Sequence, residues 1–337
     1  MPRATLKDVA QAADVSIATV SAVVNRADWV SAPTRDRVQA AVERLGYRPN
    51  RVARTLRTRR TDAVGVIVSD LTNPFFTHVV RSLQHGLHER GLSLLLADTG
   101  HRFDAGRRQF DLLLDKQVDG LVLFGDSVPE RALAAHARRA SRVPIVAVGR
   151  DYGLDGVSTI LVEAEAAAYG ATRHLVERGY RRIAHVSGHE AETGATTHGG
   201  VPRLAGYRRA LAEAGLGAPD ARVVWGDWRV EGGEAAGQAL LTTADRPDAV
   251  FCANDMMAFG VIRAARAVGL SVPADLAVVG FDDVPTAALA DPALTTVAMP
   301  TATLGRAAAD ALADQLGGRS GAVRQSVEAS LVVRASS

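Results

Sequence analysis

Apolar residues recur at Leu6, Val9, Ala10 and Ala13, the i, i+3, i+4, i+7 spacing of one buried helix face, with Thr5 placed as an N-cap. Asp14-Val15-Ser16 then supplies turn chemistry and a fresh cap, and a second short helix reads from Ile17 to Asn25 with Val20, Val23 and Val24 on its apolar stripe. A third helix follows from a cap at Ser31 or Thr34 to Leu45, burying Val38, Ala41, Val42 and Leu45 and closing at Gly46. Two short helices joined by a tight turn and backed by a third predict a helix-turn-helix unit, although the spacing also suits a plain three-helix packing unit. The second helix turns Ile17, Ala18, Thr19, Ser21, Ala22 and Asn25 outward, small or polar side chains that allow a close approach to a phosphate backbone and a major-groove floor.

From Thr61 the pattern changes. Apolar runs at Val64–Val68, Leu92–Ala97, Gly120–Phe124 and Pro144–Val148 read as buried strands, with helical stretches near Phe75–Arg90, Asp104–Leu114 and Pro129–Arg139. A second set of strands follows at Ile183–Val186, Val223–Trp225, Ala249–Cys252 and Ala277–Gly280. This alternation predicts α/β architecture: parallel sheets with right-handed crossovers, arranged as two doubly wound subdomains with a cleft between them. Ligands of such sheets bind beyond the carboxyl ends of the strands. At those ends stand Asn73 to Phe76, Arg150, Asn254-Asp255, Asp282-Asp283 and, after Trp225, Trp228. Aromatic rings with a few carboxylates, amides and a guanidinium suit a polyhydroxylated ligand, the rings stacking on its apolar face and the polar groups bonding its hydroxyls. Taken singly, Phe75 and Phe76 also read as core and Asp282 as a helix cap; convergence on one cleft favours binding.

Between head and core lies Tyr47-Arg48-Pro49-Asn50-Arg51-Val52-Ala53-Arg54-Thr55-Leu56-Arg57-Thr58-Arg59-Arg60. Asn50 can cap a helix of about eight residues, below the roughly 12–15 that stand alone in water, so order there depends on a binding partner. Val52, Ala53 and Leu56 amid arginines have the composition of a minor-groove wedge, although composition alone favours a flexible tether.

Charge separates the two regions. The 337 residues carry a net +2, but residues 1–60 hold twelve bases against five acids, a net of +7 that leaves −5 on the remainder. A basic head on an acidic body is the asymmetry of a small domain that meets a polyanion. The length favours more than one domain, and 47% apolar residues supply ample cores. The single cysteine, Cys252, excludes a disulfide framework and a cysteine-rich metal site. Nine scattered histidines read as surface or packing residues. Gly-x-Gly-x-x-Gly, Gly-x-x-x-x-Gly-Lys, His-Glu-x-x-His and Gly-x-Ser-x-Gly are all absent, so neither a cofactor nor enzymatic activity is expected. The sequence contains neither a secretory h-region nor an 18-residue apolar stretch, which predicts a cytoplasmic protein without a membrane partner.

The ordered motifs Thr5-Leu6-Lys7-Asp8-Val9-Ala10, Val15-Ser16-x-x-Thr19-Val20-Ser21, Asn25, Gly46-Tyr47-x-Pro49-Asn50-x-x-Ala53-Arg54-x-Leu56, Gly65-Val66-Ile67-Val68, Asn73-Pro74-Phe75-Phe76, Val279-Gly280-Phe281-Asp282-Asp283 and Leu331-Val332-Val333-Arg334 closely resemble the lactose/galactose/purine repressor family of bacterial transcription regulators. The resemblance implies a helix-turn-helix domain over 1–47, a hinge helix and linker over 48–61, and a periplasmic-binding-protein-like effector and dimerisation core over 62–337. It places Ile17, Ala18 and Ala22 at base-reading positions, Thr19, Ser21 and Asn25 on phosphates, and Leu56 with Ala53 at the minor-groove wedge. Thr5, Leu6, Ser16, Tyr47, Asn50 and Arg54 complete the implied DNA-contacting set. Family effector contacts carry over to Phe75 or Phe76, Arg203, Trp228, Asn254 and Asp282, with Arg150 beside them. Three departures stand out. Ala22 replaces a common Arg, while Glu163-Ala164 and Gly149-Arg150 replace frequent Asp-Asn and Asp-Arg, so operator and effector identity do not transfer. The implied protein is a homodimer, without the family's occasional tetramerisation tail, that binds a palindromic operator under control of a sugar-like effector. The alternative is a sugar-binding or carbohydrate-modifying protein with an incidental basic head.

Overall fold

Thr5 begins the first helix by a reciprocal bond: its hydroxyl accepts from the Asp8 backbone N–H at 3.3 Å and its own N–H donates to the Asp8 carboxylate at 2.8 Å, a capping box. The computed structural model describes residues 4–24, 27–47, 60–138, 143–188, 199–217, 219–319 and 321–337, and the chain divides into two units at Thr61/Asp62.

The first unit comprises α1 (Leu6–Ala13), α2 (Ile17–Val24) and α3 (Ala32–Leu45). Asp14 adopts the left-handed conformation at φ 50° to make the turn between α1 and α2, as short polar residues tolerate. Val9, Ala10, Ala13, Val20, Val23, Val30, Val38 and Ala41 form its core. Leu45, expected inside, is 37% exposed, whereas Tyr47, one residue beyond the Gly46 cap, is buried in that core.

The second unit holds two six-stranded sheets. The first contains β1 (Ala63–Val68), β2 (Ser93–Asp98), β3 (Gly120–Phe124), β4 (Ile145–Val148), β5 (Val157–Val162) and β11 (Arg324–Val327), all parallel, in the order β11-β5-β4-β3-β1-β2. The second contains β6 (Ile183–Gly188), β7 (Val223–Gly226), β8 (Ala249–Cys252), β9 (Ala277–Asp282), β10 (Thr295–Ala298) and β12 (Ser330–Val332), in the order β12-β10-β9-β8-β6-β7, with β12 alone antiparallel. Helices α4 (Pro74–His88), α5 (Phe103–Asp115), α6 (Glu130–Ala137), α7 (Ala164–Glu177), α8 (Gly200–Glu213), α9 (Val230–Leu241), α10 (Asp255–Ala267), α11 (Pro285–Leu289) and α12 (Thr301–Leu316) connect and cover them. The doubly wound architecture is as expected.

Three segments cross between the subdomains: β5 into α7, β10 into α12, and β11 into β12. Helix α12 returns to the first sheet and packs on α4 so closely that a Cβ at Gly305 would lie 2.6 Å from the Leu83 backbone nitrogen. Central strands β1, β3 and β8 are buried on both faces, as their unbroken apolar runs require. Two runs read as buried lie instead at sheet edges. β2 exposes Leu95 and Leu96, and β7 exposes Trp225, because an edge strand has no neighbour on one side.

Candidate effector cleft and nucleic-acid interface

The two subdomains bring the carboxyl ends of their strands to one cleft lined by Ser69, Asn73, Phe75, Phe76, His101, Phe124, Gly125, Asp126, Val148, Gly149, Val162, Gly199, Arg203, Trp228, Asp282, Met299 and Leu304. In the first subdomain Asn73 caps α4, its side-chain oxygen accepting from the Phe75 N–H at 3.0 Å. This presents Phe75 and Phe76 edge to face, with centroids 5.1 Å apart.

The second subdomain supplies Arg203, Trp228 and Asp282. Arg203, on the first turn of α8, donates through Nη1 to the Ala253 carbonyl at 2.6 Å and holds Nη2 3.8 Å from the Asp282 carboxylate. Its guanidinium lies 4.1 Å from the Phe281 ring centroid and 5.4 Å from that of Trp228. Trp228 and Asp282 occupy positive φ, at 70° and 120°, conformations that a β-strand end adopts only where surrounding contacts fix it. One such contact is clear at Trp228, whose indole lies directly on Gly188; a Cβ there would be 2.0 Å from the ring. Asp282 meets Asn73 Nδ2 at 3.5 Å across the cleft. Burial pushes the Asp282 carboxyl up to about 6, against the opposing pull of Arg203 and of the Asn73 hydrogen bond. Among the described residues the Arg203 Nε and Trp228 Nε1 hydrogens are buried with no acceptor. Two desolvated donors beside a carboxylate make a site that hydroxyl groups satisfy.

Five of the seven sequence-predicted effector residues thus meet: Phe75, Phe76, Arg203, Trp228 and Asp282. Arg150 and Asn254 do not line the cleft. Arg150 is buried in an ion pair with Asp126 at 2.9 Å, reaches Glu130 at 3.4 Å and lies over the Tyr152 ring. Asn254 caps α10 by accepting from the Met257 N–H, while its Nδ2 donates to the Trp228 carbonyl at 2.8 Å and so fixes the backbone of that tryptophan. The cleft also takes in His101 and Met299, which the sequence reading does not include. His101 stands just past β2, where the strand-end rule reaches it, whereas Met299 follows β10, whose Thr-Thr-Val-Ala lacks the apolar run that reveals a strand. At the rim, Asp70 lies 3.3 Å from Arg229 Nε and 3.7 Å from His101. Burial lowers the His101 pKa, with Asp70 opposing. Burial works against ionisation of Asp70, yet hydrogen bonds from Thr72 hold its pKa below the usual carboxylate range.

In the first unit, α2 exposes Ile17, by half its surface, and Ala18, while Thr19, Ser21 and Ala22 are half-buried. Ala22, expected outward, also packs against the small core. Ser16 caps α2, accepting from the Thr19 N–H at 3.1 Å and sharing a 2.8 Å hydroxyl bond with Thr19. Thr5 is exposed; Leu6 is half-buried and Tyr47 buried, both toward the core. Asn25, Asn50, Ala53, Arg54 and Leu56 lie outside the described residues.

No group of three or more His, Cys, Asp or Glu among the described residues is placed to hold a metal, and no described helix is long and apolar enough to cross a membrane. A helix-turn-helix unit and a two-sheet core with a ligand cleft, in one chain, define the class of ligand-responsive DNA-binding regulators. Residues 5–50 match the model of bacterial regulatory proteins, lacI family, and residues 172–337 match a periplasmic binding protein-like domain. The HTH-type transcriptional repressor PurR of Salmonella newport (strain SL254) is 36% identical over 317 residues, covering 93% of this chain and 90% of the relative. Among solved structures, the transcriptional regulator CelR–cellobiose complex matches with a TM-score of 0.72 at 37% identity, covering 99% of this chain and 100% of that one. The Lac repressor dimer bound to operator and the anti-inducer ONPF matches with a TM-score of 0.85 at 30% identity, covering 99% of each. The chain belongs to the lacI family of bacterial transcription regulators.

Proposed function

We propose that the chain is a cytoplasmic, non-catalytic repressor that binds a palindromic operator as a homodimer and releases or tightens its grip when a sugar-like effector occupies the cleft. The observation that carries this reading is the buried Arg203–Asp282 pair beside Trp228, with two donor hydrogens lacking acceptors. The CelR and Lac relatives, solved with cellobiose and with operator DNA, support it. In this scheme residues 1–47 read DNA, 48–61 form the hinge, and 62–337 sense the effector and dimerise. Ile17, Ala18 and Ala22 face the bases; Thr5, Leu6, Ser16, Thr19, Ser21, Asn25, Tyr47, Asn50 and Arg54 position the head; and Leu56 with Ala53 enters the minor groove. Phe75, Phe76, Arg203, Trp228 and Asp282 contact the effector, while Arg150 and Asn254 support the walls behind it. A ligand that binds open and closed subdomain arrangements unequally must shift operator affinity, and operator must shift ligand affinity by the same factor. A mobility-shift assay on DNA upstream of the chain's own gene, with and without a sugar panel, tests this. A sequence-specific shift altered by a sugar is expected; the absence of any specific shift overturns it.

A further inference from the structure

Helix α4 carries three of the chain's nine histidines, His78, His85 and His88, all exposed, with the exposed Arg81 among them. His78, Arg81, Ser82, His85 and Glu89 recur at three- and four-residue steps and so form one stripe along the helix. Helix α12 runs beside that stripe. Ser82 Oγ donates to the Ala302 carbonyl at 2.7 Å, and a Cβ built at Gly86 would lie 2.8 Å from that of Ala309. The groove between the two helices is lined by the four α4 bases, by Glu89 and, from α12, by Arg306. It shares no lining residue with the effector cleft.

Charge in this groove is unbalanced, in a body whose charges are mostly paired. Arginines elsewhere in the second unit commonly meet a carboxylate, as Arg90 meets Asp310 and Arg319 meets Asp314 at 2.9 Å. The side chains of Arg81, Arg306, His78 and His88 have no hydrogen-bond or ion-pair partner among the described residues. Only His85 meets an acid, Glu89 at 3.3 Å. Once the imidazoles are charged, five cations line the groove against that one carboxylate. From His78 to His88 the helix rises about 15 Å, room for several phosphoryl groups in line. Guanidinium forks match phosphoryl oxygens in pairs, and an imidazole adds its charge as pH falls through about 6.5.

We propose that the α4–α12 groove is a second ligand site of the core, one that binds a chain of phosphoryl groups, whether an inorganic polyphosphate or the polyphosphate tail of a nucleotide. Arg81 and Arg306 grip the anion, and His78, His85 and His88 add to the grip at lower pH.

Calorimetric titration of the full-length protein with sodium tripolyphosphate and with ATP, both free of divalent cations, tests the groove, with sulfate as a single oxyanion for comparison. The basic head also attracts polyanions, so the quantity read is the difference between the wild type and Arg81→Gln/Arg306→Gln, whose heads are identical. Neither side chain holds the fold, and the melting temperature of the variant should stay within about 2 °C. At pH 6.5 the double variant should lose the tripolyphosphate site or bind it at least about tenfold more weakly. His78→Gln/His85→Gln should lose affinity at pH 6.5 and match the wild type at pH 8. Tighter binding of tripolyphosphate assigns the site to an inorganic chain, and tighter binding of ATP to a nucleotide. A loss of less than about threefold in the arginine variant overturns the site, and so does sulfate binding as tight as that of tripolyphosphate. An equal loss at both pH values in the histidine variant overturns the part given to the imidazoles.

Discussion

Arg229 in one subdomain places its Nε 3.3 Å from the Asp70 carboxylate of the other, and His101 stands 3.7 Å from the same carboxylate, so a charged clasp spans the rim of the cleft. Arg229 is nearly half exposed, and water weakens such a pair; its worth is under about 1 kcal/mol. That is enough to bias two subdomain arrangements of similar free energy without affecting the fold. Arg229→Gln should leave the melting temperature within about 2 °C and raise the effector association rate severalfold, read by stopped-flow tryptophan fluorescence. An unchanged rate removes the clasp from the closing equilibrium.

Asp282 predicts a pH signature. Its folded pKa, about 6, lies above the ordinary carboxylate value of 3.8, so the unliganded core is most stable with this group protonated. That stability is fully present below about pH 4 and is lost as pH rises through 6, by about 3 kcal/mol at most for a shift of this size. Asp282→Asn should abolish this component, visible as a wild-type-minus-variant difference in urea midpoint that changes between pH 4 and 7. Effector affinity runs the opposite way, rising between pH 5 and 7 as the ionised carboxylate becomes an acceptor for ligand hydroxyls. Parallel stability curves for the two proteins contradict the assignment.

Arg203 has a structural duty and, on the proposed reading, a binding one. Its Nη1 holds the Ala253 carbonyl and its charge offsets Asp282, while Nε remains for a ligand. Lysine keeps the charge and loses the fork and Nε. Arg203→Lys should weaken effector binding about tenfold or more while operator affinity without effector stays within about twofold, measured by calorimetry and mobility shift; this matches the loss of one charge-assisted bond in a desolvated site.

On the proposed reading, Ala22 stands at a base-facing position where a short side chain makes no polar base contact. It is half-buried against the head's core, so a longer side chain there must run outward along α2 to reach a groove. Ala22→Arg should create a guanine preference at one symmetric operator position, worth about 1–3 kcal/mol per half-site, scored by selection from randomised duplexes. An unchanged consensus would show that position 22 does not face the bases.

Much of this architecture is legible in the sequence because central parallel strands are apolar on both faces; Gly-Leu-Val-Leu-Phe at 120–124 admits little else. The exposure of β2 and β7 is not legible, since an apolar run does not reveal which strand ends the sheet. β10, β11 and β12 are not legible because Thr-Thr-Val-Ala, Arg-Gln-Ser-Val and Ser-Leu-Val lack the unbroken apolar run that marks the equally short β4 and β8. The strand-end rule located Trp228 and Asp282, and the family resemblance Arg203, yet the rule fixes only where the backbone lies. It could not tell that Arg150 turns away to Asp126 or that Asn254 spends both polar atoms on Met257 and Trp228. The Trp228–Gly188 contact joins residues forty positions apart and is visible only once β6 and β7 are paired.

The triple crossover also sets an order of events during synthesis. The first sheet is nearly finished when β5 emerges, but β11, its partner in register, and α12, which covers one face, are made about 140–160 residues later. At about 5–20 residues per second the ribosome needs roughly 7–32 s to deliver them. During that interval the edge of β5 and the apolar face beneath α12 stand uncovered in the growing chain, while the small head at the amino terminus already has every residue of its core. The protein therefore gains the part that holds DNA well before the part that listens for a ligand, and the nascent core is the stage at which a chaperone has the most to shield.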